Sequence, residues 1–196
     1  APEPGDKIVL LGGDNYRIGM GGGAVSSVAT GEFGHSIELN AVQRSNPEMQ
    51  KRVYNAVRAM AESVENPVIS IHDHGAGGHL NCFSELVENT GGTIEIDRLP
   101  VGDPTLSLKE IIGNESQERI GLVVKEEDIE LMSNIASRER APLYVVGETT
   151  DNNQFTFSSN QGENPIDLQL SDFFGNPPKT IMNDSTVQET FKEPEY

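Results

Sequence analysis

The sequence predicts an α/β protein, a mixed β-sheet layered with helices in a single domain. Three observations carry this. Short apolar and β-branched runs alternate along the chain with segments of helical period, the pattern of a sheet covered by helices. A polar turn at Asp151-Asn152-Asn153 between two such runs predicts an antiparallel hairpin, so the sheet is mixed rather than wholly parallel. Dense clusters of glycine interrupt the alternation where loops must turn tightly.

Lys7 to Leu11 is the first strand. Gly12-Gly13 and then Gly19, Gly21, Gly22 and Gly23 are too closely spaced for regular structure and predict a loop, with Tyr16 to Ile18 as a short strand-like run before it. Asn46 to Val64 is the clearest helix, because Met49, Val53, Val57, Met60 and Val64 recur on one face. Its start is marked twice, by Ser45 and Glu48 as a capping box or by Asn46 as cap with Pro47 in the first turn. Pro67 to His72 reads as a buried strand that ends in the turn Asp73 to Gly78. A helix over about 81–89 buries Phe83, Leu86 and Val87 and stops at Gly91-Gly92. Thr93 to Asp97 is a strand, Leu108 to Ile112 a short helix, and Arg119 to Val124 a strand. Glu126 to Arg140 is helical through Ile129, Met132, Ile135 and Ala136, and Leu143 to Val146 and Gln154 to Phe157 complete the set. The domain is expected over residues 1–182, with 183–196 a polar linker, and both ends read as parts of a longer chain.

At 196 residues the chain can bury a sizeable core without staples. Fourteen Lys and Arg against 31 Asp and Glu give a net charge of −17, which disfavours nucleic acid and anionic membrane surfaces as partners. A phosphate-bearing small molecule would need backbone N–H groups, a divalent cation or a few placed bases. The single Cys82 excludes an internal disulfide and fits a reducing compartment, and no apolar run reaches the roughly 20 residues of a membrane span, so a soluble, cytoplasmic protein is expected.

Several stretches could carry chemistry. Gly19, Gly21 and Ala24 have the spacing of a loose dinucleotide fingerprint, which would make the chain an oxidoreductase module; the same glycines also suit a tight turn. A mononucleotide P-loop is excluded, since the chain contains no Gly-Lys pair. His72, His74 and His79 around Asp73 could form a zinc site, but nothing completes the ligand spacing, and strand-end histidines bonded to the backbone are the simpler reading. Asp73 itself, a carboxylate at the end of a strand beside a glycine turn, suits a hard cation such as Mg²⁺. Asn114-Glu115-Ser116-Gln117-Glu118-Arg119 packs donors and acceptors together before an apolar strand, fitting either sugar or amide recognition or a solvated loop. Gln43-Arg44 before the capped helix presents the same choice, and Cys82 reads as a buried structural thiol.

Four ordered blocks, Ile18 to Ser27, Val42 to Met49, Ile71 to Gly78 and Asn114 to Arg119, together with the tail Asp172 to Lys179, resemble the phosphoribosylformylglycinamidine synthases of purine biosynthesis over nearly the whole chain. In the large form of that family two halves, each similar to aminoimidazole ribonucleotide synthetase, precede a glutaminase domain. The resemblance implies the C-terminal subdomain of the first half. It also implies a parent reaction that converts formylglycinamide ribonucleotide, ATP and glutamine to formylglycinamidine ribonucleotide, ADP, phosphate and glutamate. By the same resemblance Asp73 binds magnesium, and Gln43, Glu115, Ser116 and Gln117 bind the substrate. The other synthase and glutaminase domains are the implied partners, and the piece alone is expected to be inactive.

Overall fold

The computed structural model describes residues 1–42, 46–115, 118–162, 164–175 and 178–186. Among these the strands are β1 (Lys7–Gly12), β2 (Val68–Asp73), β3 (Gly92–Glu95), β4 (Arg119–Val124), β5 (Leu143–Thr149), β6 (Gln154–Ser158) and β7 (Ile166–Gln169). The helices are α1 (Gly22–Ser26), α2 (His35–Ala41), α3 (Pro47–Ala61), α4 (Gly78–Leu86), α5 (Leu108–Ile112), α6 (Ile129–Glu139) and α7 (Leu170–Phe174). The strands form one sheet in the order β2-β4-β1-β5-β3-β6-β7. Its neighbours are antiparallel except for β3 and β6, which run parallel. The expected mixed sheet layered with helices is therefore present.

β1 shows how the layers are built. All four of its apolar residues, Ile8 to Leu11, are fully buried, because both faces of this central strand are covered. Ile8 and Leu10 pack with Cys82, Phe83 and Leu86 of α4 and with Ile111 and Ile112 of α5. Val9 and Leu11 point the other way, onto Val53, Ala56 and Met60 of α3 and Met132 and Ala136 of α6. A two-residue period thus feeds two separate cores. Gly121 of β4 lets α4 lie close: a Cβ there would sit 2.5 Å from Cys82 Sγ.

The set of elements does not end at Phe157, since β7 and α7 follow it, and five further local expectations are corrected. The strand expected over 67–72 is β2 at 68–73, an edge strand rather than a buried one, since it ends the sheet and Ile71 is 47% exposed. The turn at 151–153 joins β5 to β6, but β3 lies between them, so no hairpin forms. A polar two-strand turn does not reveal that a third strand slots into the gap. The long helix stops at Ala61, leaving Val64 in solvent, and it is Asn46 that caps it, accepting from the Met49 N–H at 3.1 Å, with Pro47 at the first position. Ser45 lies outside the described residues. Residues 16–18 are not a strand, and β1 ends well before Gly19. The helix expected over 81–89 starts earlier, at Gly78, because Gly77 and Gly78 adopt left-handed conformations that redirect the chain into it. Residues 178–186 carry no regular structure.

Candidate functional site

The antiparallel register gathers the chemistry at one end of the sheet. Gly12, where β1 ends, pairs with Arg119, where β4 begins, and Asp73, where β2 ends, pairs with Ile120. The glycine loop after β1, the turn after β2 and the segment before β4 therefore emerge side by side, although they are about 40 to 100 residues apart in sequence. Asn46 and Met49, at the start of α3, reach the same end and with Gly13, Asp14, Tyr16 and Glu118 border an open recess of about 420 Å³. Gln43, Ser116 and Gln117 lie outside the described residues. Glu118, next to Gln117, and Asn46, three residues after Gln43, border this recess, and Val42, next to Gln43, accepts from the Gly19 N–H at 3.3 Å.

Glu115 ties two of the loops together. Its Oε2 accepts from the Gly23 N–H at 2.8 Å and its Oε1 from the Gly77 N–H at 3.1 Å, while its own N–H donates to the Gly19 carbonyl at 3.0 Å. Glu115 as a whole is only 6% exposed and Asn114 is fully buried, so 114–115 is no solvated loop. Both amides belong to helix starts, at α1 and α4, where a negative charge is favourable. A glycine-rich turn that a dinucleotide fingerprint would turn toward a pyrophosphate here faces a side chain of the protein. With no strand running into it, the oxidoreductase reading has no support.

Beneath Glu115 lies a fully buried polar cluster of Asn15, His74, His79, Asn114 and Arg119. Arg119 Nη2 donates to the Asn114 backbone carbonyl at 2.6 Å and to its side-chain oxygen at 2.7 Å. Nη1 donates to Asn15 Oδ1 and lies 3.0 Å from His79 Nε2. A guanidinium can only donate, so His79 Nε2 is the acceptor and its proton sits on Nδ1. That N–H then donates to His74 Nε2 at 2.8 Å, which leaves the His74 proton on Nδ1. Asn114 Nδ2 donates to the carbonyls of Tyr16 and Ile18 at 2.7 and 2.9 Å, and Asn15 Nδ2 to that of Pro100 at 2.9 Å. Burial, and then the neighbouring Arg119 charge, hold both imidazoles well below the usual histidine pKa. Burial also lowers Arg119 to about 10, still charged at neutral pH.

This arrangement places the sequence candidates. His74 and His79 face each other and an arginine, and among the described residues no group of three or more His, Cys, Asp or Glu side chains is placed to hold a metal. His72 points elsewhere, pairing with Glu85 and lying 2.8 Å from the Asp73 carbonyl. Cys82 is buried, and the loss of hydration pushes its thiol up, consistent with a structural role. The Asp73 carboxylate is 71% exposed, with its Oδ1 3.6 Å from His72 Nδ1. Sequence reasoning missed Asn15 and took Arg119 only as the end of the 114–119 segment, not as a buried centre. For Arg119 a signal existed: it is in phase with Gly121 and the buried Val123, so strand alternation turns it inward. Asn15 gave no such signal, being one polar residue in a loop.

Residues 3–159 match the family described as AIR synthase related protein, C-terminal domain. Among curated proteins, the phosphoribosylformylglycinamidine synthase of Dictyostelium discoideum is 40% identical over 188 residues, covering 93% of this chain and 14% of that protein. That of Saccharomyces cerevisiae is 41% identical over 196 residues, covering 98% and 14%. An Arabidopsis thaliana relative named as probable chloroplastic/mitochondrial phosphoribosylformylglycinamidine synthase is 41% identical, covering 91% and 14%. The chain thus spans about one seventh of the length of these relatives. Among solved structures, Thermotoga maritima PurL complexed with FGAR superposes with a TM-score of 0.81 at 27% identity, over 98% of this chain and 32% of that one. No helix among the described residues is long and apolar enough to cross a membrane.

Proposed function

From its membership of the AIR synthase related protein, C-terminal domain family, to which the chain belongs, we infer that it forms the ribonucleotide- and metal-binding part of a phosphoribosylformylglycinamidine synthase. In this reading the parent enzyme converts formylglycinamide ribonucleotide to formylglycinamidine ribonucleotide with ATP and glutamine. What carries the reading is the convergence of the Gly19–Gly23 loop, the Asp73–Gly78 turn and the 114–115 segment at one end of the sheet. The relatives' names and the FGAR complex of the Thermotoga maritima protein support it.

Asp73 would supply one oxygen to Mg²⁺. A single exposed carboxylate is a poor site for a free metal but fits an ion that takes its other positions from phosphate and water, as Mg²⁺ prefers. Such an ion would screen the charge of ATP phosphates. Gln43, Ser116 and Gln117 would grip ribose and amide with uncharged donors and acceptors. Glu115 would act with them by holding its segment in place, because both of its oxygens are already engaged.

Replacing Asp73→Asn in the full-length synthase keeps shape and removes the charge. Activity is expected to fall on the order of 100-fold or more, the several kcal/mol that a metal contributes, with poor relief by added Mg²⁺. Wild-type kinetics in that variant would reject the metal role. The chain on its own should show no turnover of formylglycinamide ribonucleotide with ATP and ammonium salts, since the reading assigns it only part of a site. Product formation by the purified chain would overturn that assignment.

A further inference from the structure

We propose that Arg119 is a positioning residue for this site: its buried guanidinium, through Asn15, Asn114 and His79, sets the placement of the three loops that converge there. The proposal rests on the functional reading above but assigns a role to residues that reading does not use. Each arm of the guanidinium reaches a different loop. Nη2 fixes the 114–115 segment by its carbonyl and its side chain. That side chain in turn holds the glycine loop by the Tyr16 and Ile18 carbonyls. Nη1 holds Asn15, after β1, and His79, in the first turn of α4. His79 passes the constraint to His74, one residue beyond Asp73, by the 2.8 Å imidazole contact. The Arg119 main chain closes the circuit, its carbonyl accepting from the His74 N–H at 3.3 Å.

Chemistry explains why an arginine stands here. One planar group with donors fixed on two arms satisfies acceptors from three segments at once, whereas a lysine ammonium is a point charge that cannot span them. Taking a charge out of water is costly, and among the described residues Arg119 forms no ion pair with a carboxylate that would offset the loss. A core serving stability alone would be better filled by an apolar side chain. Geometry is what the arginine supplies.

The test compares the full-length synthase with three variants: Arg119→Met, Arg119→Lys and Met132→Ala. Met132 is fully buried on the opposite face of the sheet, so its truncation lowers stability without touching the site. Arg119→Met is expected to lower kcat/KM about 100-fold, the cost of misplacing binding groups by roughly 1 Å. It should also raise the half-saturating free Mg²⁺ several-fold, because Asp73, the residue before His74, moves with it. Arg119→Lys should fall between it and wild type and carries the comparison if the methionine variant does not fold. Met132→Ala should keep wild-type kcat/KM and Mg²⁺ dependence per folded enzyme. Arg119 variants that lose activity only in proportion to their folded fraction, with an unmoved Mg²⁺ curve, would overturn the proposal and leave the functional reading intact. A wild-type enzyme without synthase activity would remove the reading and the proposal together.

Discussion

Replacing Gly78→Ala should cost about 3 kcal/mol or more of stability and pull the Asp73–Gly78 turn away from Asn114. Gly78 has φ +59°, a conformation that costs an alanine about 1–2 kcal/mol. The larger effect is contact, since a Cβ would sit 2.3 Å from the Asn114 carbonyl oxygen and 2.7 Å from its carbon. These are backbone atoms held by Arg119 and cannot rotate aside. The turn must move instead, which lengthens the Gly77 bond to Glu115 and the His74–His79 contact together. Denaturant unfolding of this variant against Gly34→Ala measures the cost. Gly34 has an ordinary φ and open space around it, so its replacement should stay near wild type. Equal midpoints for the two would refute the close approach of the loops.

Acid should weaken the fold sooner than carboxylate titration alone requires. His74 and His79 are neutral in the folded protein and held well below 6.5, whereas in the unfolded chain they take up protons near that value. Below about pH 6.5 the unfolded state therefore binds more protons, and stability falls as pH falls. Two such groups give a limiting slope of about 2.7 kcal/mol per pH unit, or a loss of about 3 kcal/mol by pH 5.5, continuing until their lowered folded pKa values are reached. Urea midpoints at pH 7.5, 6.5 and 5.5 measure this slope. A slope below one proton would mean that the imidazoles can charge in place.

Where one segment dictates its own conformation, the sequence was readable. Arg119–Val124 and Leu108–Ile112 have the bounds expected, the second started by a capping box of Ser107 and Glu110. Where the partner decides, it was not. The edge position of β2 and the insertion of β3 between β5 and β6 depend on pairings that no local pattern encodes. Helices α1 and α2 escaped for another reason: α1 contains two glycines, and α2 leaves Ile37 and Leu39 exposed, so neither shows an apolar face. At the site, the position of Asp73 was legible, because an apolar run that gives way to a glycine turn marks where a strand ends. The roles of Glu115 and Arg119 were not, because their partners are main-chain atoms and polar side chains from distant loops.

The clasp made by Glu115 has a consequence for how a negatively charged guest is received. Two glycine amides, one from the glycine loop and one from the turn after β2, are the kind of seat an oxyanion takes, and they already have a resident tenant supplied from within the fold. A visiting phosphate would have to evict it or find its counter-charge elsewhere, which in the proposed reading is a cation held by the exposed carboxylate of Asp73.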